Sequence, residues 1–308
     1  MSRESRKAQL AAEASGSGLL SATLRRILVA TDLSARSDRA VERAVTLARS
    51  HKAHLTVLHV VDEELPDAIK TQLTEAAKTE IESHLGKLDG RQGVDVSVCV
   101  LPGRDYRDIL KAAEADDCNL IVLGLHRDES ADRPLRGTTM ERVIRHGIHP
   151  VLVAASRTEV PYRTVMIGVD FSVFSRYAMR AALAIATDAE IHVIHAYQTP
   201  FEGLLHGREI RETLAADHGD ALARMIDDEM ESLVHPRWVE PAVADKIHRV
   251  VRSGEVTSVL RAEVARVRPD LLVIGTHGRV GIAHAVLGSV AENLLNRPPC
   301  DVLAVKAW

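Results

Sequence analysis

"RILVATDLSARSDRAVERAVTLA" (residues 26–48) and "TVMIGVDFSVFSRYAMRAALAIA" (residues 164–186) are two copies of one pattern, and they decide how the rest of the chain is read. Each opens on a short β-branched run, passes through an aspartate (Asp32, Asp170) and a serine two residues on (Ser34, Ser172), and continues with helical periodicity. A short, nearly continuous apolar run followed by an amphipathic helix is how a buried parallel strand and its covering helix read. Repetition at this scale outranks any local signal, because each copy must be one structural unit.

Outward from this pair the correspondence continues. "HLTVLHVVD" from His54 is answered by "IHVIHAYQ" from Ile191, with His59 and His195 closing equivalent apolar runs. "GRDYRDILKAAEADDCNLIVLG" from Gly103 is answered by "GEVTSVLRAEVARVRPDLLVIG" from Gly254, and that register holds to "HPVLVA" and "CDVLAV". Strands are expected near 26–31, 54–60, 95–101, 119–123 and 150–154, and again near 164–169, 190–196, 246–252, 270–274 and 301–305. The fold class is therefore α/β: two tandem Rossmann-like units, each a five-stranded parallel sheet with helices on both faces.

The expected division is a mobile N-terminal tail over 1–24, a first domain over 25–156 and a second over 163–308. A chain of 308 residues suits two such cores. The link "SRTEVPY" (156–162) is short and holds Pro161, so the units should pack against each other. The chain is thus an internal pseudo-dimer, and homodimerisation of the whole chain is left open.

Composition excludes several classes of partner. With 39 basic and 43 acidic residues the net charge is -4, which argues against a nucleic-acid partner. No apolar run approaches the ~20 residues of a membrane span, and the first 24 residues hold no secretory core, so no membrane association is expected. Cys99, Cys118 and Cys300 lie far apart, which fits a reducing, cytoplasmic setting and small packing residues in place of a disulfide framework.

The chemistry concentrates in "GTHGRVGIAHAVLGS" (275–289), where Gly275 closes a strand and Gly288 opens a helix. Bare backbone lets an anion approach, and a helix N-terminus offers unpaired N–H groups to phosphate. Asp170, at the end of its unit's first strand, would face the same crevice. Ser289 and Glu292, like Thr138 and Glu141, also form a capping box, which explains a helix start with no ligand present.

The Gly275, Gly278, Gly288–Ser289 spacing, with "VDFS" at 169–172 and "IHVIHA" at 191–196, resembles the nucleotide motif of the universal stress protein family, over about residues 25–308 in two copies. The resemblance implies a tandem protein that binds ATP with magnesium and acts in stress response, and whose last strands, "HPVLVA" and "CDVLAV", meet across an internal two-fold with Trp308 near that junction. It implies that Gly168, Val169, Asp170 and the backbone at Ala196 surround adenine and ribose. Gly275, Gly278, Arg279, Gly288, Ser289 and Val290 would take the phosphates.

The first copy, "GLHRDESADRPLRGT" (124–138), keeps Gly124, Gly137 and Thr138 but has Arg127 for the middle glycine and adds Asp128, Glu129 and Asp132. One competent site, in the second domain, is expected. The function read from this is an ATP-binding regulator with an unidentified protein partner; the alternatives are a slow ATPase and a ligand-independent interaction scaffold. No catalytic residue and no metal site are assigned: the chain lacks a P-loop lysine motif and a nucleophile elbow, and His192 and His195, three apart on a strand, face opposite ways.

Overall fold

The computed structural model describes residues 24–125, 137–156, 160–197, 224–235, 239, 241–277 and 287–306. The tail, Trp308, the whole segment 198–223, and the loop positions 126–136 and 278–286 lie outside the described residues. Gly278, Arg279 and Arg127 are among them.

Ten strands form one sheet: β1 (Arg26–Ala30), β2 (His54–Asp62), β3 (Val96–Gly103), β4 (Leu120–Gly124) and β5 (Val151–Ala154) in the first half, then β6 (Thr164–Val169), β7 (Glu190–Tyr197), β8 (Ile247–Ser253), β9 (Leu271–Gly275) and β10 (Asp301–Val305). Each falls within two residues of its expected place. The spatial order β3-β2-β1-β4-β5-β10-β9-β6-β7-β8 gives each half the same doubly wound arrangement, reflected about the centre. Within each half all neighbours run parallel. At the centre β5 and β10 pair antiparallel, Leu303 opposite Leu152, so the two final strands meet and the two half-sheets become one.

Strand side chains are buried on both faces, as parallel sheets require. Ile27 and Val29 face one core and Leu28 the other. The first core is covered by α1 (Ser37–His51), α2 (Asp67–Gly86), α5 (Val173–Ile185) and a helix over 224–233, α6. The second is covered by α3 (Asp105–Ala115), α4 (Thr139–His146), α7 (Val256–Val267) and α8 (Ser289–Asn296). The long acidic stretch after β2 shows why its apolar stripe is a packing face: α2 buries Ala77, Ile81 and Leu85 while its charged residues stay outside. Its first turns leave Ile69 and Leu73 exposed.

The junction carries a feature with no counterpart in the repeat. Asp301, fully buried at the start of β10, accepts from Arg43 Nε of α1 at 2.9 Å and from the Tyr162 hydroxyl at 2.8 Å. Its other oxygen accepts from the Ala155 and Ser156 N–H groups and the Ser156 hydroxyl. Arg43 also donates to the Val160 carbonyl and lies over the Tyr162 ring, 4.3 Å from its centroid. A single carboxylate thereby ties a first-half helix, both ends of the link and a second-half strand together.

Candidate functional site

The two crevices lie where the strand order reverses, beyond the carboxyl ends of β1 and β4 and of β6 and β9, the place where doubly wound sheets bind ligands. In the second half the β6 strand ends at Val169, and Asp170 is held at the turn into α5. Its carboxylate accepts from the Ser172 N–H at 3.0 Å and the Ser175 hydroxyl at 2.7 Å, while its own N–H donates to Ser175 Oγ. Phe171, the residue that follows, sits at φ 61°, and Leu33 at the same place in the first half at φ 62°. A left-handed bulky residue is costly, and its recurrence shows that the strand-to-helix turn imposes it in both copies.

Behind each aspartate a histidine braces the strand end. His195 Nδ1–H donates to the Val169 carbonyl at 2.8 Å, and His59 Nδ1–H donates to the Thr31 carbonyl at the same distance. Because a carbonyl only accepts, both rings carry their proton on Nδ1. The histidines that close the second strand of each repeat are thus part of the scaffold.

Gly168, Val169, Asp170, Ala196, Gly275, Gly288, Ser289 and Val290 all line one cavity of about 190 Å³, with Ser175, Thr276 and His277 beside them and Ile194, Val256, Leu260 and Ile274 supplying apolar wall. The motif glycines have structural reasons of their own. A Cβ on Gly275 would stand 3.0 Å from Phe174 Cβ, and one on Gly124 only 2.9 Å from Ser37 Cα. These two glycines let α5 and α1, the helices that follow the neighbouring strands β6 and β1, start close against the ends of β9 and β4. The Gly288 N–H donates to the Thr276 carbonyl at 2.8 Å, which closes the loop between β9 and α8.

The helix starts in the two halves differ. In the first, Thr138 is the N-cap of α4 and its hydroxyl accepts from the Glu141 N–H at 3.1 Å, while the Glu141 carboxylate accepts from the Gly137 N–H. The capping box expected there is made. In the second, the box expected of Ser289 and Glu292 is not: α8 begins one residue earlier in the shared register, Gly288 is its N-cap, and among the described residues no side chain is seen to cap it. Glycine supplies the cap conformation without an acceptor, so Ser289 becomes the first helical residue and the helix start opens on the cavity with no cap from its own N-cap residue.

The first crevice is roomier, about 490 Å³, and lined by Asp32, Arg36, His59, Gly124 and Thr139, among others. It also holds Asp105, which accepts from the Thr139 hydroxyl at 2.6 Å. The corresponding second-half wall residue is Val256. Burial would raise the Asp32 carboxyl, but hydrogen bonds from Ser34 and Ser37 outweigh it and hold the group below its ordinary range, ionised at neutral pH. Among the described residues two carboxylates thus face the first crevice and one the second. Sequence reasoning missed Asp105, although the register that sets it opposite Val256 was readable in the repeat; it also missed Ser175, which seats Asp170.

Both halves are therefore doubly wound α/β units, joined edge to edge, with a ligand-type crevice at each switch point. The universal stress protein family model matches the chain twice, over residues 23–155 and 161–306, and the chain belongs to that family. A universal stress protein of Mycolicibacterium smegmatis is 25% identical over 93% of this chain and 98% of its own length. One from Methanocaldococcus jannaschii is 29% identical over 47% of the chain and 82% of its own length. The crystal structure of a universal stress protein from Archaeoglobus fulgidus superimposes with a TM-score of 0.67 at 20% identity, covering 91% of this chain and 98% of that one. No helix among the described residues is long and apolar enough to cross a membrane.

Proposed function

We propose that this protein is an adenine-nucleotide-binding regulator in stress response, with ATP and magnesium held in the second crevice and the first crevice unfit for a triphosphate. The observation that carries this reading is the uncapped start of α8 at Gly288, opening on the same cavity as Asp170. A helix N-terminus whose orphan N–H groups are not met by a side chain suits a phosphate, and the partial positive charge there favours an anion.

The lining fits the rest of a nucleotide. Gly168 stands where the first half has Ala30, and a Cβ there would come within 3.5 Å of Leu260, in the wall of the cavity. Asp170, with Gly168, Val169 and the Ala196 backbone, would hold adenine and ribose; Gly275, Gly278, Arg279, Gly288, Ser289 and Val290 would take the phosphates. In the first crevice Thr138 already meets the Glu141 N–H at the helix start, and Asp105, bonded to the Thr139 hydroxyl there, sets a carboxylate at the phosphate end where the second half has Val256. Greater volume does not offset that repulsion.

The reading assigns binding and signalling through an adjoining protein surface, in a reducing cytoplasm that the free thiols of Cys99, Cys118 and Cys300 suit. The test is a calorimetric titration of Mg-ATP into the nucleotide-free chain. One site per chain is expected, weakened at least tenfold (about 1.4 kcal/mol) by Gly278→Arg, which copies the first half's residue. Two sites per chain, or none, would refute it. ADP formation that Asp170→Ala abolishes while binding persists would instead make the protein an ATPase.

A further inference from the structure

At the other end of the second half-sheet, three side chains converge that the nucleotide reading does not use. Glu190 and His192 lie two apart near the start of β7, hence on one face of the sheet, and His248 is the direct partner of His192 on edge strand β8. The two imidazoles stack, with centroids 4.7 Å apart and planes inclined 21°. His248 Nε2 is 3.5 Å from Glu190 Oε2, and one ligand atom from each of the three residues lies within 4.8 Å of the others. We propose that Glu190, His192 and His248 bind a divalent transition-metal ion, with zinc the ion this donor set fits best.

Donor type, an unpartnered ring nitrogen and reach support the assignment. Two imidazoles and a carboxylate leave a fourth position open, a set that suits zinc and the borderline first-row ions and is too nitrogen-rich for magnesium or calcium. His192 Nδ1 is buried without a hydrogen-bond partner, although a buried imidazole nitrogen ordinarily has one. Beyond Glu190 and His248, the charged groups that act on the His192 ring are Arg266 and Glu263. Arg266, the cation that bears on this ring, is bound by Glu263 at 2.6 Å, and Glu263 also accepts from Arg252. Glu190 and His248 are exposed, free to close to the ~3.3 Å ligand spacing that tetrahedral zinc bonds of about 2.0–2.1 Å require.

The first half provides an internal control. There the equivalent positions hold His54, Thr56 and Ser97. These form a closed hydrogen-bond network: His54 bonds Asp95 at 2.8 Å and Ser97 at 3.0 Å, and the Thr56 hydroxyl donates to Asp116 at 3.0 Å. The same place in the fold is self-satisfied in one copy and carries a partnerless imidazole nitrogen in the other. A bound ion would tie edge strand β8 to β7 at a distance from the crevice, so the site is independent of nucleotide.

The experiment is calorimetric titration of zinc chloride into the full-length chain at pH 7.5 in a non-chelating buffer, with thermal melting alongside. Saturable binding of one ion per chain is expected, weakened at least tenfold by His248→Ala and by Glu190→Gln, and unchanged by His54→Ala. Zinc should raise the melting temperature of the parent protein and not that of His248→Ala. Both replaced residues are exposed, and an unaltered zinc-free melting temperature checks that each variant folds. Absence of saturable binding, binding that survives His248→Ala, or equal loss on His54→Ala would overturn the proposal.

Discussion

Replacing Asp301 by Ala tests how the two halves are held together. The carboxylate has no exposure to water, and Arg43, which it neutralises, is 1% exposed. Removing it leaves a guanidinium buried without its counter-charge and strips the acceptor from Tyr162, Ala155 and Ser156 together. Breaking a buried pair from one side costs about 3–5 kcal/mol, because the remaining charge cannot regain water. For units of this size, about 2 °C of melting temperature per kcal/mol puts the expected loss at about 6–10 °C. The staple exists once: the repeat counterparts of Asp301 and Arg43 are Pro150 and Ala181, so no second copy compensates. Calorimetric melting of the parent, Asp301→Ala, Arg43→Met and the double variant closes a cycle. Because the double variant buries no orphaned charge, it should recover most of the loss, with a coupling of about 2 kcal/mol or more. A single-variant cost below about 1 kcal/mol, or additive effects, would refute the account.

The same cluster predicts an alkaline limit. Burial, and secondarily the Asp301 charge, push the Tyr162 hydroxyl well above its ordinary range, so stability is fully present below the unfolded value near pH 10 and falls as pH rises above it. Of the four tyrosines, one should ionise only on unfolding in an ultraviolet titration, and Tyr162→Phe should remove that step. At the start of α7, Glu255 accepts from the Thr257 and Ser258 N–H groups at 2.9 and 2.7 Å, which lowers its carboxyl to about 2. Its contribution is present above the unfolded value near 4.5 and is lost as pH falls toward 2; a carboxyl NMR titration with a midpoint near 4.5 would contradict this. Gly124→Ala would set a Cβ 2.9 Å from Ser37 Cα and 3.0 Å from the Arg36 carbonyl, backbone atoms that cannot swing aside. A loss of about 1–3 kcal/mol in denaturant melts is expected, and a neutral result would show that α1 can shift away from β4.

The strands were legible because burial on both faces leaves a continuous β-branched run that no other element of that length produces, and duplication let each copy check the other. The meeting of β5 and β10 was legible only through the family resemblance, which makes "HPVLVA" and "CDVLAV" the strands that pair across the two-fold. The staple was not legible: Arg43 lies in a helix whose pattern reads as amphipathic, with a charge that periodicity assigns to solvent, and only the assembled sheet brings Asp301 beside it. The Ser289 box failed for a related reason. S-x-x-E describes two side chains that could cap, but which residue becomes the N-cap depends on where the backbone leaves the loop, and Gly288 takes that place. His192 was read against His195 along one strand, whereas its neighbour His248 lies across the sheet, 56 positions further on.

The differences between the halves share a location. Strand residues that fill the two cores are equivalent in both copies, because the sheet and its helices demand the same volumes in each. Divergence falls at the strand ends: Asp105 against Val256, a closed Thr138 box against an open Gly288 cap, a hydroxyl network against a histidine pair, Pro150 against Asp301. Side chains there set charge and hydrogen bonding without altering the packing that holds the sheet, so they could change while the frame stayed fixed. If one duplicated crevice kept its ligand and the other was released from it, carboxylates and an internal cap are the changes expected in the released copy, since each satisfies locally what a phosphate would otherwise have satisfied.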